Sequence, residues 1–115
     1  MKKRGDRVYL QHILDSIARI ESYLREVDEN EFKSSDLLQD GVIRQIQIIG
    51  EASKRISSDL CIRYQHIPWR DMAGMRNKLV HDYFGVDTGM VWITATCDLP
   101  ELKELIAQVI SELPV

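Results

Sequence analysis

The chain has 115 residues, with 15 Lys and Arg against 18 Asp and Glu, and a formal net charge of −3. Hydrophobic residues make up 44% and charged residues 29%, which is typical of a globular chain and excludes a disordered or fibrous one. The length predicts one domain over residues 1-115, and no apolar run reaches the roughly 20 residues of a membrane-spanning helix. The basic start is followed by an amphipathic stretch without the apolar core of a signal peptide, so we expect a cytoplasmic protein.

Apolar residues at helical spacing predict an all-α bundle of about five helices. The helices are expected at about residues 6–27, 35–58, 68–85, 87–96 and 98–113. Ser34 or Ser35 would cap the second helix, Gly85 would end the third, and Asp98 with Pro100 would begin the last. Residues 59–67 are expected to be irregular. Few segments alternate with a period of two, so no sheet is predicted.

The sequence lacks the motifs of several common enzyme classes. It contains no P-loop, dinucleotide-binding, zinc-protease or nucleophile-elbow pattern. Cys61 and Cys97 are isolated, and we expect both to be buried reduced thiols rather than metal ligands or a disulfide. Trp69 and Trp92 are expected to anchor the core or an interface.

The charge is unevenly distributed along the chain. Residues 60–85 carry four Lys and Arg against two Asp, whereas the rest carries eleven basic against sixteen acidic residues. A basic island on an acidic body favours a focused phosphate site over general polyanion binding.

Of the three histidines, His81 has the sequence neighbours best suited to act with it in catalysis. His12 is expected on the solvated face of the first helix and His66 in a loop. On a helix, Asn77 and His81 would lie one turn apart, while Arg76 and His81 would be separated by about 140° and flank a shared edge.

These residue types suit phosphodiester transesterification without a metal. The Arg76 guanidinium can bind phosphate oxygens, the His81 imidazole can move protons, and Asn77 can orient the ring. Tyr83 can hydrogen-bond, stack or pack in the core. Alternatively, Arg76, Lys78 and His81 form only a solvated helix face near a C-terminus, where cations are favoured.

The segment IPWRDMAGMRNKLVHDYFGVD, residues 67–87, resembles the signature of the HepT-like branch of the HEPN superfamily. Its specific element is R-x-x-x-x-H-x-Y after an I-P-W-R-D lead-in. The segments IGEA, residues 49–52, and LPEL, residues 99–102, are similar to the same family, so the resemblance covers most of the chain.

The resemblance implies a compact HEPN-type helical bundle that forms a homodimer and acts as a metal-independent endoribonuclease toxin. Arg76 and His81 would be the catalytic pair, with Asn77 as the polar neighbour of the arginine. The partner implied is a minimal nucleotidyltransferase antitoxin, which adenylylates Tyr83 in such pairs. The resemblance implies no cofactor or metal, and neither DNA nor a membrane as a partner.

The expected reaction is attack of an RNA 2′-hydroxyl on the adjacent phosphate, which leaves a 2′,3′-cyclic phosphate and a 5′-hydroxyl. This reaction needs one base and one acid, whereas one chain offers a single well-placed histidine. A symmetric dimer would supply two imidazoles and two guanidiniums to one composite site. Lys78 would attract the RNA backbone, and Glu51 would either contact the site or form a helix salt bridge.

Two other interpretations remain open at this stage. A non-catalytic subunit would bind nucleotide or a nucleotidyltransferase partner through the edge formed by Arg76 and His81. A purely structural dimeric bundle would use neither residue.

Overall fold

A computed structural model describes residues 5–81 and 85–114 of the chain. The helices are α1 (Asp6–Tyr23), α2 (Glu29–Lys33), α3 (Asp36–Lys54), α4 (Ser58–Arg63), α5 (Trp69–Leu79), α6 (Thr88–Ile93) and α7 (Leu99–Glu112). A π-helical segment (Thr94–Asp98) joins α6 to α7, and two short strands, β1 (Val80–His81) and β2 (Gly85–Val86), form an antiparallel ribbon. The predicted all-α class is confirmed.

The core forms where α1 packs on α3, and α3 in turn packs on α5 and receives α6. Helix α7 packs along α1. The largest fully buried side chains come from every long helix, from α2 and from the segment before α5, and are Phe32, Leu10, Ile13, Ile17, Ile20, Ile46, Ile49, Ile67, Met72, Leu99, Ile106 and Val42. Helix α3 is therefore the central element, with α1 on one side and α5 on the other.

Two short helices lie where the sequence indicated a helix end and an irregular segment. Asp28 begins α2, because its side chain accepts from the Glu31 amide at 2.8 Å and Glu31 reaches back to the Asp28 amide. Ser57 caps α4, and Asp6 holds that cap by accepting from both its amide and its hydroxyl. Capping chemistry therefore outweighed the weak apolar periodicity of both segments.

The predicted extension of the third helix to Gly85 is wrong, because α5 ends at Leu79. Val80 is extended, with φ −120° and ψ 121°, as suits a β-branched residue. Strand β1 pairs with β2, with Val80 opposite Val86 and His81 opposite Gly85. Gly85 has φ +77°, which a glycine adopts without a Cβ penalty, so it belongs to the ribbon instead of a helix C-terminus.

Helix α7 begins at Leu99 with Pro100 in its first turn, as predicted, but the predicted capping box at Asp98 is wrong. Asp98 has helical angles, φ −73° and ψ −44°, and its side chain caps nothing. The Leu99 amide bonds to the Thr94 carbonyl across a π-helical turn. Pro100 has no amide hydrogen and its ring crowds the preceding turn, so a local widening lets the helix continue past it.

Both tryptophans are at least half-buried, as expected, whereas the burial expected for the two cysteines is only partly observed. Trp69 is buried and donates from Nε1 to the Tyr64 carbonyl at 3.1 Å, and Trp92 is half-buried with its ring centre 5.5 Å from that of Phe32. Cys61 is half-buried, and desolvation with the nearby Asp6 carboxylate raises the pKa of its thiol. Cys97 is exposed, so the expectation of two buried thiols is wrong.

Within residues 5–81 and 85–114, no helix combines the length and apolar character needed to cross a membrane.

Candidate active site

The candidate site begins at the crossing of α3 and α5, and a glycine sets the distance between these helices. A Cβ on Gly50 would lie 3.1 Å from the Ala73 carbonyl oxygen and 3.3 Å from that of Met72. Both neighbours are helix backbone, which cannot move aside cheaply. The absence of a side chain at position 50 therefore lets α5 lie directly against α3.

A polar cleft opens beside this crossing, with a volume of about 200 Å³. Its lining is Gln47, Gly50, Glu51, Lys54, Ala73, Arg76 and Asn77. The structure thus brings together three of the residues singled out from the sequence, namely Glu51, Arg76 and Asn77. We call this feature the α3–α5 cleft.

Arg76 is the central cation of the α3–α5 cleft. The side chain is half-buried, and its Nε is enclosed without a hydrogen-bond partner among the described residues. One terminal nitrogen approaches Asn77 Oδ1 at 3.5 Å, which is at the limit of a hydrogen bond. The guanidinium therefore retains most of its donors for an anion, and an enclosed position strengthens such an interaction.

Glu51 lies on the α3 side of the cleft and pairs loosely with Lys54, with 3.5 Å between Oε1 and Nζ. Both side chains are more than half exposed, at 60% and 56%, so solvent screens the pair. The salt bridge expected as one possible role of Glu51 is present, and Glu51 also lines the cleft.

His81 lies just beyond the end of α5, on β1. Its side chain is exposed, and it is not among the residues that line the α3–α5 cleft. The helical stacking predicted for Asn77 and His81 is wrong, because the chain turns from helix to strand between them. His81 follows Arg76 by five residues in the sequence. The pairing of β1 with β2 fixes its backbone opposite Gly85.

Lys78 points away from this cleft. Its Nζ lies 3.8 Å from Asp71 Oδ1, on a different side of α5, and both side chains are largely exposed. Tyr83, the predicted modification site, lies outside the described residues.

Sequence reasoning missed two lining residues, Gln47 and Lys54. They precede and follow Glu51 on α3 by four and three residues, so all three share one helix face. That spacing was available from the sequence once Glu51 was considered part of the site. In the part of the chain that the structure describes, no three His, Cys, Asp or Glu side chains are grouped for metal binding.

Comparison with known proteins assigns the family. The model of the family described as Ribonuclease HepT-like matches residues 13–109. A protein of Methanocaldococcus jannaschii named "Putative RNase" is 40% identical over 113 residues, which cover 98% of this chain and 97% of the relative. "Probable ribonuclease HepT" of Thermococcus cleftensis is 46% identical over 101 residues, covering 88% and 92%.

Another relative is longer than this chain. "Gamma-glutamylcyclotransferase and putative RNase" of Methanocaldococcus jannaschii is 47% identical over 111 residues, which cover 96% of this chain but 50% of the relative. This chain therefore spans about half of that protein's length. No solved structure matches the chain.

The helical bundle and the match of the family model place the protein in the HepT-like class of HEPN domains. The chain belongs to the HepT-like ribonuclease family.

Proposed function

We propose that this protein is the toxin of a toxin–antitoxin pair, an endoribonuclease that cleaves RNA by 2′-hydroxyl transesterification without a metal. The observation that carries the proposal is Arg76, whose half-buried guanidinium lies in the α3–α5 cleft with no partner for its Nε among the described residues. The family and the names of the relatives support RNA as the substrate.

In this mechanism Arg76 binds the non-bridging oxygens of the scissile phosphate. Charge accumulates on these oxygens as the 2′-hydroxyl attacks, so a fixed guanidinium stabilises the transition state more than the ground state. Asn77 lies beside Arg76 and limits the positions of its terminal nitrogen. The partial enclosure of the cleft lowers competition from water.

His81 moves the protons. One imidazole takes the proton from the 2′-hydroxyl, and a second gives a proton to the departing 5′-oxygen. One chain supplies a single His81, which is exposed and therefore accessible to substrate or to a second chain. We propose that a homodimer assembles the complete site from two copies of Arg76 and His81.

Control of the toxin is proposed to come from a minimal nucleotidyltransferase antitoxin that adenylylates Tyr83 in the cytoplasm. We propose that an AMP attached to Tyr83, two residues after His81 in the sequence, brings its phosphate to Arg76. That phosphate would compete with RNA for the guanidinium. Lys78 contributes at most a weak general attraction, because it already faces Asp71.

The test is cleavage of tRNA and mRNA by the purified protein in excess EDTA, with product ends identified by mass spectrometry. We expect 2′,3′-cyclic phosphate ends from the wild type and no cleavage from His81→Ala. His66→Ala is the matched control, because His66 is also exposed and lies outside the α3–α5 cleft. Circular dichroism and sedimentation establish that all three proteins fold and assemble alike.

A non-catalytic binding subunit is the second candidate. It is favoured by one observation, the lack of any hydrogen bond that fixes the His81 ring among the described residues. In that case neither wild type nor His81→Ala cleaves RNA, although the wild type is folded, dimeric and unmodified at Tyr83. Cleavage that requires added divalent metal would contradict the metal-independent mechanism.

A further inference from the structure

A second concave surface lies on the other side of α3, between α3 and α1. It consists of two adjoining cavities of about 500 and 370 Å³ that share His12 and Ile48. Their lining is Tyr9, His12, Asp15, Ser16, Arg19, Arg44, Gln45, Ile48, Glu51, Ala52 and Arg55. We call this surface the α1–α3 groove.

The α1–α3 groove adjoins the α3–α5 cleft. Glu51 lines both, and it stands on the exposed ridge of α3 that separates them. Arg44 and Arg55 lie on the same ridge, eleven residues apart, or about 16 Å along the helix axis. A flexible chain held by Arg76 can therefore pass over the ridge and follow the groove.

The charge of this path is opposite to that of the protein. The groove and cleft together contain five cations, Arg19, Arg44, Lys54, Arg55 and Arg76, against two carboxylates, Asp15 and Glu51. The whole chain carries −3, so positive charge is concentrated on this face.

The arginines of the groove are free to bind an anion. Arg19, Arg44 and Arg55 are exposed, and none forms an ion pair with another residue in the described ranges. The two carboxylates are already engaged, since Asp15 accepts from Gln11 at 2.9 Å and Glu51 faces Lys54.

The groove also offers surfaces for nucleobases. The rings of Tyr9 and His12 meet edge to face, with 6.1 Å between their centres. Ring faces presented beside cations are the combination by which proteins bind single strands without strict sequence preference.

Gln45 is an independent observation that points to a ligand with hydrogen-bond donors in the groove. This glutamine is only 6% exposed, and its Oε1 has no hydrogen-bond partner among the described residues. A buried acceptor without a donor is unfavourable, whereas nucleobases carry donors in their amino groups.

We propose that the α1–α3 groove binds the single-stranded RNA that flanks the scissile phosphate, with Arg44 and Arg55 contacting backbone phosphates and Tyr9 and His12 contacting bases. The inference rests on the proposed ribonuclease function for its substrate class. It adds a binding track beyond the catalytic pair and predicts that longer RNAs bind more tightly than dinucleotides.

The test measures binding of a fluorescent 2′-O-methyl oligoribonucleotide, which binds as RNA but cannot be cleaved through its 2′-oxygen. Fluorescence anisotropy is recorded between 50 and 200 mM salt for wild type and Arg44→Gln/Arg55→Gln. Loss of two phosphate contacts should reduce the slope of log K against log salt by about 1.4. Arg25→Gln/Lys33→Gln is the matched control, because it removes two cations that line neither groove nor cleft.

Three outcomes would overturn the inference. The first is an absence of binding by the wild type, and the second is an equal loss in the groove variant and its control, which would indicate only net charge. The third is a change in sedimentation of the groove variant, which would make the groove an interface between two copies of the chain. A wild type that binds the oligonucleotide but cleaves no RNA contradicts the ribonuclease function and leaves the groove standing.

Gln45→Met supplies a readout that a purely structural role would not give. Methionine keeps the length of the side chain and removes the buried acceptor, so the melting temperature of the free protein should rise. Affinity for the same oligonucleotide should fall by about 5-fold, the equivalent of one hydrogen bond. A parallel decrease in stability and affinity would indicate that Gln45 only supports the fold.

Discussion

Helix α5 separates two concave surfaces of opposite charge. On one side is the α3–α5 cleft, with Arg76 and Lys54 against Glu51. On the other is a cavity of about 390 Å³ between α5 and α7, here the α5–α7 groove, lined by His66, Pro68, Asp71, Met72, Met75, Asp98, Glu101, Leu102 and Leu105. Among the described residues, its lining holds three carboxylates and no Lys or Arg.

Charge, not volume, separates the two surfaces as candidates for phosphate binding. The α5–α7 groove is nearly twice as large as the cleft, yet its carboxylates repel a polyanion. Lys78 illustrates the division, because it lies in the proposed catalytic motif on α5 but faces Asp71 on the acidic side. RNA should therefore bind one side of α5 only.

The largest expected effect is on catalysis at the basic side. Arg76→Gln keeps a polar side chain but removes the charge, so we expect the single-turnover cleavage rate to fall about 100- to 1000-fold. Lys78→Gln is the matched loss of one cation from the same helix, and it should change the rate less than about 3-fold because exposed ion pairs contribute little. Equal effects of the two substitutions would mean that the sides of α5 are not functionally different.

The next largest effect is on the packing of α5 against α3. Gly50→Val places side-chain carbons against the backbone of Ala73 and Met72, so we expect a loss of about 1–3 kcal/mol in the free energy of unfolding. Gly74→Ala is the control, because a Cβ there would meet no described residue within 4 Å apart from its own helix. Helix propensity alone should then stabilise the protein by about 0.5–1 kcal/mol. Urea denaturation measures both. A neutral Gly50→Val would contradict the close crossing on which the cleft depends.

The helical framework was predictable because long amphipathic stretches carry redundant information. The apolar repeats of α1, α3 and α7 each span several turns, so their existence did not depend on any single residue. The start of α3 was predictable only to within one residue, because Ser34 and Ser35 could both cap it; in the structure the Ser35 hydroxyl accepts from the Leu38 amide.

The site was less predictable for a physical reason. Helical periodicity cannot indicate where a strand-like residue stops a helix, so Val80 and the ribbon were missed, and with them the true position of His81. Glu51 and Arg76 line the same cleft because α3 and α5 cross at Gly50. That crossing is a contact between residues far apart in sequence. The motif residues themselves came from the sequence, whereas their arrangement required the fold.

A smaller effect is expected from the acidic side. Asp98→Asn/Glu101→Gln removes two exposed charges from the α5–α7 groove, so stability should change by no more than about 0.5 kcal/mol. RNA cleavage should keep its rate, and RNA affinity should rise slightly at low salt because the net charge becomes less negative. A marked decrease in cleavage would place part of the reaction on the acidic side and break the comparison.

The smallest effect concerns Tyr64, which contacts Glu112 on α7 through its hydroxyl and Trp69 on α5 through its carbonyl. Tyr64 donates to Glu112 Oε1 at 2.8 Å, and hydrogen bonds from Gln108 and Tyr64 lower the pKa of Glu112. A lowered pKa means that this contribution is present above the ordinary value of 4.5 and is lost as pH falls through the folded-state value. Tyr64→Phe should therefore lower the melting temperature slightly at pH 7, and the difference should shrink in acid. Because the Tyr64 carbonyl still accepts from Trp69, α5 keeps its position and RNA cleavage should be unchanged. A loss of cleavage would show that the contact between Tyr64 and Glu112 positions the site as well as stabilising the fold.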